Sequence, residues 1–174
     1  MAWSKNGTTT LSSAGDTVTV SSLTATDFNL FLGHVINSTG SSNVRLRYNN
    51  NSNNVYAYRR SNDGGADGLG TSQSLYTAEI DDADEDRFIV NYTCSITGEE
   101  KLAIQFSMET ADGNNNAPQR SEIVAKFVPS PDADITRIDL INGQPIIEPP
   151  FINLLATIIS GLSFLKILYI FSIK

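Results

Sequence analysis

Apolar and polar positions alternate along most of this chain, most regularly between Arg87 and Thr110. There Phe88, Val90, Tyr92, Cys94 and Ile96 alternate with Ile89, Asn91, Thr93 and Ser95. After a break at Thr97-Gly98-Glu99-Glu100, Leu102, Ile104, Phe106 and Met108 alternate with Ala103, Gln105, Ser107 and Glu109. Successive residues of a strand face opposite sides of a sheet. The pattern therefore predicts two long strands joined as a hairpin, with both apolar sets turned toward a core. Cys94 shares that inward phase and reads as a small core residue.

The remaining segments repeat the signal at shorter range. Thr8–Ser12 and Thr17–Leu23 are predicted as polar strands flanking a turn at Ser13-Ala14-Gly15-Asp16. Asp27–Asn37 is more apolar, with Phe28, Leu30 and Leu32 in one phase and Phe31 and Val35 in the other, which suits a strand buried on both sides. Asn43–Asn49 turns Val44, Leu46 and Tyr48 inward and Arg45 and Arg47 outward. Val55–Arg60 is expected to return beside it as a hairpin across Asn50–Asn54, aligning Arg45, Arg47, Arg59 and Arg60 on one face. Ser61–Ser74, with its four glycines, reads as a long surface loop. A short strand follows at Leu75–Ile80, and Ala111–Arg120 reads as a second turn-rich loop. Glu122–Val128 is a strand stopped by Pro129-Ser130-Pro131, and Ile135–Asn142 alternates Ile138 and Leu140 with Arg137 and Asp139. Nine or ten short strands and no helix before residue 145 predict an all-β, antiparallel two-sheet β-sandwich over residues 1–144.

From residue 145 to 174 the composition changes to an apolar tail. Phe151–Ile173 is interrupted by Asn153 and Lys166. Its length suits a membrane anchor, although a lysine inside a span costs on the order of 2.5–3.5 kcal/mol. A closing strand, with Leu165, Ile167, Tyr169, Phe171 and Ile173 in one phase, is a second reading. A third is an end foreign to the domain, such as a shifted frame would produce.

Composition narrows the chemistry. With 174 residues and 40% apolar content the chain has enough material for one domain with a core. The net charge of −7 is local: residues 81–100 hold seven acidic groups and one basic, while the flanking regions are nearly balanced. That argues against nucleic acid, which needs a basic face, and the four arginines read as a solvated sheet face. One cysteine, Cys94, and one histidine, His34, allow neither a disulfide framework nor a zinc site built by themselves. A catalytic constellation would have to use His34, and no nucleophile elbow or phosphate-binding loop occurs, so no catalytic residue, no cofactor and no enzyme activity are expected. Asp82, Asp84 and Asp86 are spaced as the first ligands of a calcium loop, but Arg87 stands where glycine is required and Thr93 where the bidentate glutamate belongs. A looser oxygen site at Asp63 with Asp67, or Asp112 with Asn114, remains beside the reading as solvated turn acids, and no metal site is assigned. Met1–Gly7 leads into Thr and Ser without an apolar core region, so no secretory signal is expected. The Asn-x-Ser/Thr triplets at Asn6, Asn37, Asn50 and Asn91 accordingly carry little weight.

Ala14 to Thr24 (AGDTVTVSSLT), the apolar run ending at His34, Arg47-Tyr48-Asn49-Asn50, Tyr58 to Asp67 (YRRSNDGGAD) and Ile135 to Asn142 (ITRIDLIN) together resemble small β-sandwich virion structural proteins of environmental tailed viruses. The resemblance covers roughly residues 1–142. It implies a jelly-roll-like sandwich, a capsid-decorating or tail-associated place in the virion, self-association as a homo-oligomer and contacts with other virion proteins. The loops at 61–74 and 111–120 would then face partners or the host. The alternative is a lectin-like carbohydrate-binding module recognising a host-surface glycan, for which Tyr56 and Tyr58 on an open face would be the mark. Membrane attachment through Phe151–Ile173 would instead make it an anchored surface protein.

Overall fold

The computed structural model describes residues 4–9, 15–36, 43–79, 86–110, 116–142 and 157–160, and the regular structure among them is entirely β. The strands are β1 (Ser4–Gly7), β2 (Thr17–Val20), β3 (Phe28–Ile36), β4 (Asn43–Tyr48), β5 (Tyr56–Asn62) and β6 (Gly68–Gln73). They continue as β7 (Tyr76–Glu79), β8 (Asp86–Cys94), β9 (Lys101–Glu109), β10 (Gln119–Phe127), β11 (Ile138–Asn142) and β12 (Thr157–Ser160). Pairing is antiparallel throughout, in an eight-stranded sheet of order β1-β12-β3-β8-β9-β10-β5-β6 and a four-stranded sheet of order β2-β11-β4-β7.

This is a jelly roll with one strand multiplied. In that fold eight strands are shared between two sheets, in the orders first-eighth-third-sixth and second-seventh-fourth-fifth. With β2 to β7 as the first six and β11 as the eighth, the small sheet has the first order. The large sheet has the second, provided the seventh place is filled by the meander β8–β9–β10. The long hairpin is thus an expansion of the sandwich, and it widens the large sheet well beyond what four strands can cover. β12, the described part of the tail, runs between β1 and β3.

Two local expectations are corrected. β4 and β5 are not a hairpin. β4 pairs with β11 and β7 in the small sheet, and β5 with β10 and β6 in the large one, so the chain crosses between layers at Asn49–Val55. Asn49, at φ 53°, holds the crossing: its Oδ1 accepts from Thr136 N (2.9 Å) and Arg137 N (3.1 Å), and its Nδ2 donates to Asp134 O (2.8 Å). A side chain that completes the hydrogen bonds of a neighbouring segment does the work expected of a ladder. Arg45 and Arg47 consequently lie in the other sheet from Arg59 and Arg60, and no joint arginine face forms.

Likewise, Ser61–Ser74 is not an irregular loop but the turn and return strand of the β5–β6 hairpin. Asp63 and Gly64, both at positive φ, make the turn. Gly70 is required for another reason. A Cβ there would lie 2.4 Å from the Tyr58 ring, which crosses β6 at its paired residue. Of the glycines that suggested a loop, Gly64 thus serves the turn and Gly70 a close backbone-to-ring approach inside a strand.

Between the sheets, Val18, Val20, Val44, Leu46, Ile138 and Leu140 of the small sheet meet Phe31, Ile89, Ile123 and Phe127 of the large one. Tyr48, Tyr56 and Phe127 form an aromatic cluster across the layers, with ring centroids 4.8–6.5 Å apart, Tyr56 stacking on both neighbours. The Tyr56 hydroxyl accepts from Tyr48 N (3.0 Å) and donates to Tyr48 O (3.1 Å), so both polar groups are satisfied inside the core. Burial drives the Tyr56 hydroxyl far above its ordinary pKa and keeps it protonated as that donor.

Several expectations fall outside the described residues: Thr10–Ala14, Asn37–Ser42, the acidic residues Asp81–Glu85, Ala111–Asn115 with Asp112 and Asn114, and most of the tail, 143–156 and 161–174. Among the described residues no helix is long and apolar enough to cross a membrane.

Candidate functional site: an apolar sheet face

The largest correction concerns β8 and β9. Their more apolar sets do not face the core. In β9, Lys101, Ala103, Gln105, Ser107 and Glu109 are buried, whereas Leu102, Ile104, Phe106 and Met108 are each 49–53% exposed. β8 behaves the same way: Arg87, Ile89, Asn91 and Thr93 are buried, Phe88 is exposed, and Val90, Tyr92 and Cys94 are half-buried on the outer side. Cys94 is thus not a core residue.

The inner polar set is held by specific bonds. Arg87 and Glu109, directly opposite in the ladder, form a buried ion pair. The Tyr48 hydroxyl, from the small sheet, sits 2.7 Å from Thr93 Oγ1 and donates toward Asn91 Oδ1 (3.1 Å). The Lys101 ammonium, wholly buried, donates to Ile96 O (2.7 Å), Glu99 O (3.0 Å) and Asp132 Oδ1 (2.8 Å). These bonds let polar side chains sit between the sheets at tolerable cost. They also fasten the β8–β9 turn to the segment after β10, since Gly98 N donates to Asp132 (2.5 Å) and Thr97 Oγ1 to Asp134 (2.8 Å). The Lys101 ammonium and the Gly98 N–H hold the Asp132 carboxyl below the usual aspartate range.

With the polar set inside, registry lays the apolar set out as a grid. Across β3, β8 and β9 its rows are Phe28–Cys94–Leu102, Leu30–Tyr92–Ile104, Leu32–Val90–Phe106 and His34–Phe88–Met108. β10 continues the rows with Lys126, Val124, Glu122 and Arg120. Phe28 and Tyr92 stack at 6.2 Å, and Ile96 and Val128 extend the patch beyond the first row. A groove of about 230 Å³ lies along its margin, lined by Ile104 and Phe106 of β9, Glu122 and Val124 of β10, and Arg59 and Asp67. Charge is confined to that margin: Arg59–Asp67 at 2.8 Å, Lys126–Glu100 at 3.1 Å and Arg120–Glu122 at 3.6 Å. Monomeric proteins rarely leave a contiguous apolar face of this kind in water, and larger ones mark interaction sites.

The structure scatters the residues considered for chemistry. His34 and Cys94 share the outer face but stand three rows apart, roughly 20 Å along the strands. Asp63 Oδ1 accepts from Arg120 N (2.8 Å), and Asp67 pairs with Arg59, so these acids already hold the turn and the groove wall. Among the described residues no three metal-ligating side chains converge. Asn91 of the triplet Asn91-Tyr92-Thr93 is buried and out of reach of a glycan. Tyr56 is buried and Tyr58 packs on the core over Gly70, so neither lies on an open face. The candidate surface was hidden in the same alternation that revealed the strands, with its two faces exchanged. The chain matches no family model, no curated protein and no solved structure.

Proposed function

We propose that this chain is a non-enzymatic structural protein of a virus particle, joined to its neighbours through the outer face of β3, β8, β9 and β10. The observation that carries this reading is the row Leu102, Ile104, Phe106 and Met108, half in water on a strand whose other side is polar and buried. A strand apolar on its outer side and buried against the other sheet on its inner side is built to be covered twice. The jelly-roll layout and the resemblance of residues 1–142 to virion sandwich proteins support the particle as the setting.

The test is co-sedimentation. Peptides of this chain should band with intact particles in a density gradient and stay with them through a high-salt wash, because the contact is apolar. Recovery only among free proteins, or only with membranes, would overturn the proposal.

Half-exposed aromatics on the same face, Phe88 and Phe106 beside the stacked Phe28–Tyr92 pair, give a glycan-binding module as the second reading. Retention on immobilised polysaccharide that Phe106→Ala abolishes would select it.

A further inference from the structure

We infer that the occupant of the apolar face is a second copy of this chain, packed face to face about a twofold axis that crosses the strands at Val124, Ile104 and Tyr92. The inference rests on the reading of that face as a binding surface and adds the partner and the register.

Area comes first. Four strands about 4.8 Å apart and four outward rows about 6.8 Å apart, with Ile96 and Val128 beyond them, span roughly 600 Å² in plan. Side-chain relief brings the accessible area near the ~800 Å² that each partner gives to a standard interface. Face-to-face sheets stack about 10 Å apart, at a separation that lets two such side-chain layers interdigitate.

Charge selects the partner. The outward residues of β10 read Arg120, Glu122, Val124, Lys126, and Val124 shares its row with Ile104 and Tyr92. A twofold axis lying in the interface along that row runs every strand antiparallel to its copy. Val124 then meets Val124, Glu122 meets Lys126 of the second copy, and Lys126 meets Glu122 of the second copy. Leu102 and Phe106 exchange in the same manner, which brings Leu102 of the second copy over the groove beside Phe106. An isologous interface must be self-complementary, and this charge order is so only about Val124. Moving the axis half a row toward Glu122 would set Lys126 against Arg120. Among the described residues Glu122 and Lys126 are partly exposed and pair with rim residues at 3.6 and 3.1 Å, contacts which water screens and which a partner of opposite charge can replace.

The experiment is sedimentation velocity on the full chain, with circular dichroism to confirm that each variant is folded. The wild type should be a dimer. Glu122→Lys sets two lysines face to face twice per dimer, and Lys126→Glu does the same with glutamates, so each should weaken self-association about tenfold or more. Mixed one to one, the two variants should form a heterodimer at wild-type affinity, because both contacts become attractive again. Phe106→Asp should leave a folded monomer.

A dimer lost with Phe106→Asp, without preferential heterodimer formation, would overturn the register while sparing the apolar face as an interface. A wild-type monomer at tens of micromolar would overturn the second copy as occupant and leave the face to another partner. A wild-type dimer indifferent to Phe106→Asp would sink both this inference and the reading beneath it.

Discussion

Replacing Glu109 by glutamine tests which way the central hairpin faces. Arg87 is 1% exposed and Glu109 5%, and they stand opposite each other between the two sheets. Glu109→Gln keeps the shape but removes the Glu109 charge from the buried guanidinium, and breaking a buried pair in this way costs about 3–5 kcal/mol. Against a total stability of about 5–15 kcal/mol for a domain, this is a large loss. At a urea slope near 2 kcal/mol/M it would move the unfolding midpoint down by about 1.5–2.5 M.

The double variant Arg87→Met with Glu109→Leu removes both charges and fills similar volume, so it should recover most of that loss or exceed the wild type. Equilibrium urea unfolding of the full chain, followed by tyrosine fluorescence at two protein concentrations, separates this from effects of association. If the apolar phase faced the core, Glu109 would be solvated and its substitution would register within about 0.5 kcal/mol. A midpoint shift that small, or a double variant as unstable as the sum of its singles, would refute the inverted orientation.

Gly70→Ala should destabilise the protein by about 1–3 kcal/mol, because its new methyl meets the Tyr58 ring at 2.4 Å, and Tyr58→Leu in the same chain should relieve part of the loss; equal midpoints for Gly70→Ala and wild type would remove the close-approach explanation. The Asp132 carboxyl, with its folded pKa lowered by Lys101 and Gly98 from the ordinary 3.8, contributes stability that is full above that value and drains away as pH falls through it toward the folded one. Asp132→Asn should therefore be less stable than wild type at neutral pH and converge with it in acid; parallel stability curves across the acid range would mean that the carboxylate contributes nothing.

Alternation marked β3, β4, β8, β9, β10 and β11, because backbone period is local, and Pro129 and Pro131 ended β10 where they should, whereas β6 was concealed by its glycines. The sequence by itself also determined the class, since many short alternating strands with Gly, Asn and Asp turns have few ways to bury their faces other than two stacked sheets. It could not decide which layer a strand joins. Asn49–Val55 looked like a hairpin turn but links strands in different sheets, a choice set by β11 pairing with β4 and β10 with β5 from far along the chain. Nor could alternation decide which face of β8 and β9 is inside. It separates two faces and says that one is more apolar. Here the inner face is made habitable by Tyr48, Asp132 and the Arg87–Glu109 pair, all brought together only by the fold. The more apolar face was therefore free to point outward, where only a further surface can bury it.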